Sequence, residues 1–138
     1  MIDIVKPAKR SAMMANVKAK DTKPEMIVRS LAHQLGYRFR LHKRDLPGSP
    51  DLTFPKLKKT IFVHGCFWHR HEGCKFSYSP KSNQDFWQKK FASNVKRDNN
   101  ALIKLAELGW EALIIWECET KDLAKLRSIL QKFLSQSN

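Results

Sequence analysis

Four residues in the sequence are of the types used in phosphate ester hydrolysis, namely Asp51, His64, His69 and Asp98. Phosphodiester cleavage requires a cation on the scissile phosphate, an activated water and a proton for the leaving oxygen. Asp51 stands at the start of a predicted strand and is a suitable hard ligand for Mg²⁺, and a backbone carbonyl on the adjacent strand can be another. The two histidines suit proton transfer near neutral pH, and Asp98 can orient one of their rings.

Each acidic residue also has a simpler interpretation. Asp51 follows a proline and fits a turn, and Asp98 fits a solvated charge on a polar helix. Glu25 can reach the same cation through water, but it also completes a capping box with Thr22, and both roles are compatible. The order of Pro50-Asp51, a hairpin-length gap and the segment 60–64 nevertheless resembles the core of metal-dependent nucleases.

A second group of residues has the composition of a zinc site. Cys66, His71 and Cys74 lie within nine positions, and Cys118 follows the last predicted strand. Thiolates and one imidazole suit tetrahedral Zn²⁺, which would attach a loop of little apolar content to the end of that strand. The spacing alone does not choose between His69 and His71, and three reduced cysteines beside a surface histidine are the simpler alternative. An odd number of cysteines without a signal peptide does not favour disulfides.

Two aromatic pairs fall in polar surroundings. Phe67 and Trp68 follow Cys66 in the predicted loop, and Phe86 and Trp87 begin a predicted helix. The first pair can pack against the zinc site or insert between base pairs as an aromatic wedge. For the second pair, core packing and base stacking are equally compatible with the pattern.

Size and charge limit the class of protein. With 138 residues the chain is long enough for one domain with its own core, over residues 1–138. A net charge of +13 predicts a polyanionic partner, DNA or RNA. The lysines are not confined to an amphipathic stripe, no apolar run is membrane-spanning, and Met1–Lys9 lacks a secretory signal, so we expect a monomeric cytoplasmic protein. The basic segment 6–20 can be a short helix or an arm that orders on DNA.

The elements that must position these residues follow from periodicity and turn residues. The predicted order is helix (22–36), strand (37–42), a hairpin of two strands (51–54 and 60–64), helix (82–108), strand (110–116) and helix (123–133). An interruption of the long helix near Ser93 is left open. The strand 110–116 is the most apolar, so we expect it to be central and buried on both faces. The predicted fold is an α/β sandwich with a mixed sheet and helices on both sides.

Several motifs recur in the order found in one known family. They are His64-Gly65-Cys66-Phe67-Trp68-His69, Phe86-Trp87, Asn94-Val95, Arg97-Asp98, Leu108-Gly109-Trp110 and Trp116-Glu117-Cys118, and upstream Arg10-Ser11, Asp21-Thr22, Glu25 and Leu46-Pro47-Gly48-Ser49-Pro50-Asp51. Together they resemble the very short patch repair endonucleases over most of the chain. The resemblance implies a restriction-endonuclease-like fold, a variant of the PD-(D/E)XK superfamily, with a structural zinc. It also implies nicking of double-stranded DNA at a T·G mismatch, immediately 5′ of the thymine, where 5-methylcytosine has deaminated.

The resemblance implies a role for individual residues. Asp51 and the backbone carbonyl of Val63 would bind Mg²⁺, His69 would be the general acid/base oriented by Asp98, and His64 and Glu25 would complete the site. Zinc would be held by Cys66, His71, Cys74 and Cys118. The predicted DNA contacts are intercalating Phe67, Trp68 and Trp87 and, in the basic N-terminal segment 1–20, Arg10, Lys18 and Lys20. Contact with other mismatch-repair proteins is left open.

The sequence departs from the wider nuclease superfamily at the second active-site strand. That superfamily usually has an acidic residue and a lysine where Phe62, Val63 and His64 stand, so the histidine variant is implied. Val63 also stands where a member of the very short patch repair family has threonine. This difference is harmless if the cation ligand is the backbone carbonyl. Two other hypotheses remain: a zinc-stabilised DNA-binding protein without activity, and a nuclease of the same fold that cuts perfect or branched duplex.

Overall fold

A computed structural model describes residues 22–136 of the chain. In this range three helices, α1 (Lys23–Gln34), α2 (Gln84–Glu107) and α3 (Leu123–Ser135), accompany four strands, β1 (Arg40–Leu41), β2 (Leu52–Phe54), β3 (Lys59–His64) and β4 (Glu111–Trp116). A 3-10 helix, Glu117–Lys121, follows β4. The predicted order of elements is confirmed. Arg10, Lys18 and Lys20, with the rest of the segment 1–20, lie outside the described residues, among which no helix is long and apolar enough to cross a membrane.

The four strands form one mixed sheet in the order β1-β2-β3-β4. β2 and β3 are an antiparallel hairpin in which Leu52 pairs with Ile61. β3 and β4 are parallel, with Val63 opposite Ile115, and α2 is the crossover that a parallel pair requires. The predicted mixed sheet is confirmed, and its hairpin places the start of β2 beside the end of β3.

Helices cover both faces of this sheet. Successive strand residues point to opposite faces, and Ile61 belongs to a core shared with α1 and α3. On the other face, Phe62 and Ala101 of α2 both border Gly48. The core under α1 and α3 consists of Val28, Leu31, Ala32, Leu52, Phe54, Ile61, Ile115, Leu126, Leu130 and Leu134. Burying each large aliphatic side chain contributes about 1.5 to 3 kcal/mol to folding.

The prediction that the apolar strand 110–116 is central was wrong. β4 is an edge of the described sheet and pairs only with β3, which is the central and more deeply buried strand. The apolar content of β4 reflects the helices that cover both of its faces. Ile115 in this strand is fully buried. Apolar composition reports coverage by neighbouring helices and carries no information on position within a sheet.

Two other boundaries differ from the predictions. The first strand is shorter than its aromatic alternation suggested, because Tyr37 and Phe39 pack edge-on against Phe54 outside the paired segment. Helix α2 runs through Ser93 without interruption and ends at Glu107, with Leu108 as its C-cap and Gly109 following at φ +85. This long helix therefore runs from the loop after β3 back to the end of the sheet where β4 begins.

Candidate active site and metal centre

The hairpin brings Asp51 and Val63 into direct contact. Asp51 immediately precedes β2, and Val63 is the next to last residue of β3. The Val63 N–H donates to Asp51 Oδ2 at 2.7 Å, which fixes the carboxylate against the strand that ends in His64. Two of the predicted site residues on different strands therefore meet at one end of the sheet.

His64, His69 and Asp98 form the opposite side of the same site. The His64 and His69 rings stack with centroids 3.8 Å apart and planes 8° from parallel. His69 Nδ1 lies 2.6 Å from Asp98 Oδ2 on α2, and the His69 N–H donates to Gly65 O at 3.1 Å. We call Asp51, His64, His69 and Asp98 the histidine–carboxylate pocket.

Burial changes the protonation of two groups in this pocket. It raises the pKa of Asp51 to about 7, an effect that the Val63 hydrogen bond opposes and the neighbouring Glu25 carboxyl increases. Burial lowers the pKa of His64 to about 4, and the charge on His69 lowers it further. His64 is therefore neutral at neutral pH, and its Nδ1 has no hydrogen-bond partner within residues 22–136.

Glu25 reaches the pocket from α1. Its N–H donates to Thr22 Oγ1, which is one of the two hydrogen bonds of the predicted capping box, while the residue is 2% exposed and its carboxylate contacts Arg29 and His42. His42 Nε2 lies 3.1 Å from Glu25 Oε2, and His42 Nδ1 lies 3.9 Å from Asp51 Oδ1. Sequence reasoning missed His42, because it continues an alternating strand pattern and nothing in the sequence signals its φ of +48.

The pocket opens into a cleft of about 1240 Å³. Three cationic side chains line it, Arg44, Lys90 and Arg97, together with Asn94, whose amide donates to Trp68 O at 3.1 Å. Cations around a carboxylate–histidine site suit an anionic substrate. Composition gave no way to select these three from the 26 lysines and arginines of the chain.

The predicted zinc ligands also meet in space. Ligand atoms of Cys66, His71, Cys74 and Cys118 all lie within 4.8 Å of one another. His71 Nδ1 is 3.4 Å from Cys118 Sγ and 3.6 Å from Cys66 Sγ, whereas His69 is turned to Asp98. We call these four residues the Cys/His cluster.

The donor set of this cluster suits a tightly held cation. Burial raises the pKa of Cys66 to about 12, and it also raises the pKa of Cys118, so a thiolate at either position requires a compensating positive charge. Three sulfurs and one imidazole nitrogen are the ligands and the number that a structural Zn²⁺ site uses. The geometry therefore supports the choice of His71 that the spacing left open.

Packing supports the loop that carries this cluster. The His71 ring stacks on Trp116 with centroids 4.2 Å apart. Arg70 donates to the carbonyls of Phe67, Ser77 and Tyr78 and lies 4.0 Å over the Phe91 ring. A single arginine thus closes a loop that has few regular backbone hydrogen bonds.

The aromatic residues predicted to enter DNA are packed together. Phe67 lies 5.1 Å from Trp68 and 5.5 Å from Trp87, measured between ring centroids. Trp87 is only 8% exposed, whereas Phe86 beside it is 60% exposed. Insertion of Trp87 between bases would therefore require its ring to leave the described position.

A carboxylate, two histidines and a second carboxylate in a cation-lined cleft are the groups that hydrolysis of an anionic ester uses. Comparison with known proteins gives the class. The family profile described as DNA mismatch endonuclease Vsr matches residues 2–75. A Type II nicking enzyme, V.XorIIP, from Xanthomonas oryzae pv. oryzae (strain KACC10331 / KXO85) is 46% identical over 137 residues, covering 99% of this chain and 100% of the relative.

Two further relatives agree. The Type II nicking enzyme V.NmeAIP from Neisseria meningitidis serogroup A / serotype 4A (strain DSM 15465 / Z2491) is 38% identical over 99% of this chain and 96% of its own length. The DNA mismatch endonuclease Vsr of Escherichia coli (strain K12) is 39% identical over 91% of this chain and 80% of its own length. The chain belongs to the Vsr family of DNA endonucleases, and the resemblance noted in the sequence is confirmed.

Proposed function

We propose that this endonuclease nicks the thymine strand of duplex DNA immediately 5′ of the thymine in a T·G mismatch. Such mismatches arise when 5-methylcytosine deaminates, and the nick would start very short patch repair. Mismatch recognition is supported by the name of the Escherichia coli relative, and strand nicking by those of the two nicking enzymes. The observation that carries the hydrolytic part is Asp51 facing the His69–Asp98 pair across one cleft.

Mg²⁺ fits the Asp51 side of the pocket. The Asp51 carboxylate is a hard oxygen ligand, and its hydrogen bond to the Val63 N–H places the Val63 peptide beside it. Asp51 and the Val63 carbonyl would hold the ion, which supplies positive charge at the scissile phosphate when bound. Arg44, Lys90 and Arg97 add positive charge around the same cleft.

His69 is the proposed general acid/base. Donation from its Nδ1 to Asp98 fixes the tautomer and leaves Nε2 to exchange a proton with the attacking water or the leaving oxygen. Neutral His64 stacks against this ring, so the pair does not place two positive charges 3.8 Å apart. Glu25 completes the site through its contact with His42.

The Cys/His cluster is the proposed structural Zn²⁺ site. Its ligands come from the loop after β3 and from the 3-10 helix after β4, so the ion would join two segments that the sheet alone does not connect. Binding of Zn²⁺ at such a site contributes a large part of the folding free energy of a loop that buries few apolar side chains. We assign it no part in the chemistry.

Mismatch recognition is proposed to use aromatic insertion. Phe67 and Trp68 line the cleft and Trp87 packs against both of their rings. An inserted ring would unstack a weakened base step. Arg10, Lys18 and Lys20 would contact the DNA backbone. We expect one protein molecule to bind each duplex. Size-exclusion chromatography with light scattering would measure this stoichiometry.

A strand-resolved cleavage assay tests the proposal. Duplexes with a single T·G pair in several flanking contexts, and T·A controls, would be incubated with and without Mg²⁺. We expect a Mg²⁺-dependent nick on the thymine strand of T·G duplex, lost in Asp51→Ala and retained in Asp45→Ala, an exposed aspartate used as the matched control. Binding without a nick in any context would reject the enzyme, and equal nicking of T·A would reject mismatch specificity.

A further inference from the structure

His42 lies between the carboxylates of Glu25 and Asp51, at the side of the pocket where the cation is proposed to bind. Its N–H donates to Asp51 O at 3.2 Å, which ties the backbone of the two residues together. Its φ of +48 is uncommon for a residue with a side chain and directs the ring back toward Glu25 and Asp51. The ring is therefore held at the site by backbone geometry.

The two ring nitrogens face different carboxylates. Nε2 is 3.1 Å from Glu25 Oε2 and 3.0 Å from Arg29 Nη2, which itself contacts the same carboxylate oxygen. If Nε2 carries the proton, it donates to the carboxylate and does not accept from the guanidinium. Nδ1 then presents its lone pair toward Asp51 Oδ1 at 3.9 Å. That separation is too long for a hydrogen bond, yet it is within the span of two ligands that each lie about 2.1 Å from one ion.

Glu25 acts as an orienting group in this arrangement. Arg29 and His42 both contact the same oxygen of its carboxylate, which is almost fully buried. A histidine that ligates a metal usually donates its other ring N–H to such a carboxylate, which fixes the tautomer and raises the basicity of the ligating nitrogen. The Glu25–His42–Asp51 geometry matches this pattern.

We propose that His42 Nδ1 is a further ligand of the ion held by Asp51, so that this site binds Mn²⁺ more tightly than Mg²⁺. The inference rests on the proposed function, since it assumes a cation at Asp51. Mg²⁺ takes oxygen ligands and binds imidazole poorly. A first-row transition ion accepts imidazole beside oxygen, and its affinity depends on ligand type more than that of Mg²⁺ does.

Cation binding tests this directly and does not depend on nicking. Full-length protein with its thiolates saturated by Zn²⁺ would be titrated with Mn²⁺ and with Mg²⁺ by calorimetry. In His42→Gln we expect the Mn²⁺ affinity to fall about tenfold, and the Mg²⁺ affinity to change by less than about threefold. The Mg²⁺ affinity of the variant also reports whether the site remains folded.

Pulsed EPR of bound Mn²⁺ gives a second readout. We expect ¹⁴N modulation from imidazole in the unsubstituted protein and in His33→Gln, which removes an exposed histidine of α1, and its loss in His42→Gln. Modulation that persists in His42→Gln but disappears in His69→Gln would overturn the inference. Equal losses of Mn²⁺ and Mg²⁺ affinity would also overturn it, because they would mean that His42 only supports the fold of the site.

The same experiments separate failure of the inference from failure of the proposed function. Unchanged affinities in His42→Gln, together with Mg²⁺-dependent nicking, would reject the His42 ligand and leave the nuclease intact. Asp51→Asn should abolish binding of both ions. If it leaves both affinities unchanged, the ion is bound elsewhere, and the inference fails together with the proposed cation site.

Discussion

The histidine–carboxylate pocket and the Cys/His cluster share one short segment but are held in place differently. In the segment 64–71, His64 and His69 turn to the pocket, whereas Cys66 and His71 turn to the cluster. The remaining pocket residues stand on regular elements, Asp51 at the start of β2 and Asp98 on α2. The remaining cluster ligands come from a loop and a 3-10 helix. The pocket is therefore positioned by the sheet and α2, whereas the cluster would depend on the proposed Zn²⁺ to hold its segments together.

Trp116 separates the two regions. Its ring stacks on His71 at 4.2 Å and meets the His64 ring edge-on at 5.3 Å. Because one rigid side chain contacts both histidines, loss of the cluster should disturb the pocket, whereas loss of a pocket group should leave the cluster intact. This asymmetry predicts that substitutions in the pocket change rates and substitutions in the cluster change stability.

His69→Ala should give the largest effect and confine it to the rate. Loss of a general acid/base typically lowers a rate by about 10²- to 10⁴-fold. We expect a fall of this size in nicking under single-turnover conditions, with zinc content and melting temperature unchanged. His33→Ala on the exposed side of α1 is the control. A variant that loses zinc as well as activity would show that the two regions do not separate.

Cys118→Ser should give the opposite result. Removal of one thiolate ligand is expected to release the ion and lower the free energy of unfolding by about 3 kcal/mol or more. Denaturant titration and metal analysis would measure both quantities. A zinc chelator should destabilise the unsubstituted protein and leave Cys118→Ser unchanged. Equal stability of the two proteins, with equal zinc content, would contradict the assignment of the cluster.

The residues of the pocket and the cluster were predictable from sequence to different degrees. Soft ligands at short spacing are rare enough to be noticed, so the sequence predicts the cluster; the spacing alone did not separate His71 from His69, whereas the family resemblance implied His71 and the geometry supports it. Glu25, Asp51 and Asp98 could be named as candidates from their residue types and positions, but a lone carboxylate has a simpler structural interpretation in each case, so the family motifs were needed to imply their roles. His42 was missed, since its contribution depends on a backbone angle and on two distant carboxylates.

The elements of the fold also differ in how far the sequence predicts them. Local signals gave the helices and the hairpin, as in the Thr22 cap and the Gly109 stop. The position of β4 at the sheet edge could not be predicted, because its apolar residues would suit a central strand equally well. Side-chain periodicity records which faces are covered, while strand order is decided by pairing across the whole chain.

Gly48→Ala tests how strongly the pocket depends on packing. Gly48 has φ +77, and an added Cβ would lie 2.7 Å from Ala101 Cβ and 3.1 Å from the Phe62 ring. We expect a stability loss of about 2 to 4 kcal/mol and slower nicking, because the turn that leads into Asp51 must shift. Gly109→Ala, at φ +85 with nothing within 4 Å, measures the backbone strain alone. Equal losses in both variants would mean that the turn is not tightly packed.

Asp51→Asn should change the stability by less than Cys118→Ser or Gly48→Ala, and the change should be a gain. Burial raises the folded pKa of Asp51 to about 7, above the unfolded value of about 3.9. The carboxyl therefore favours folding below about pH 4 and loses that contribution as pH rises through about 7. Without added Mg²⁺, the variant should exceed the unsubstituted protein in stability by about 1 to 3 kcal/mol near pH 8 and converge with it near pH 4.

The depressed pKa of His64 does not obscure this comparison. Its folded pKa of about 4 makes both proteins lose stability as pH falls from about 6.5, and the loss cancels in their difference. Asp45→Asn, an exposed control, should show no such pH-dependent gain. A variant of Asp51 that is less stable near pH 8 would indicate that the carboxylate supports the fold. A gain would show that the ionised Asp51 carboxylate is unfavourable for the folded state in the absence of a cation.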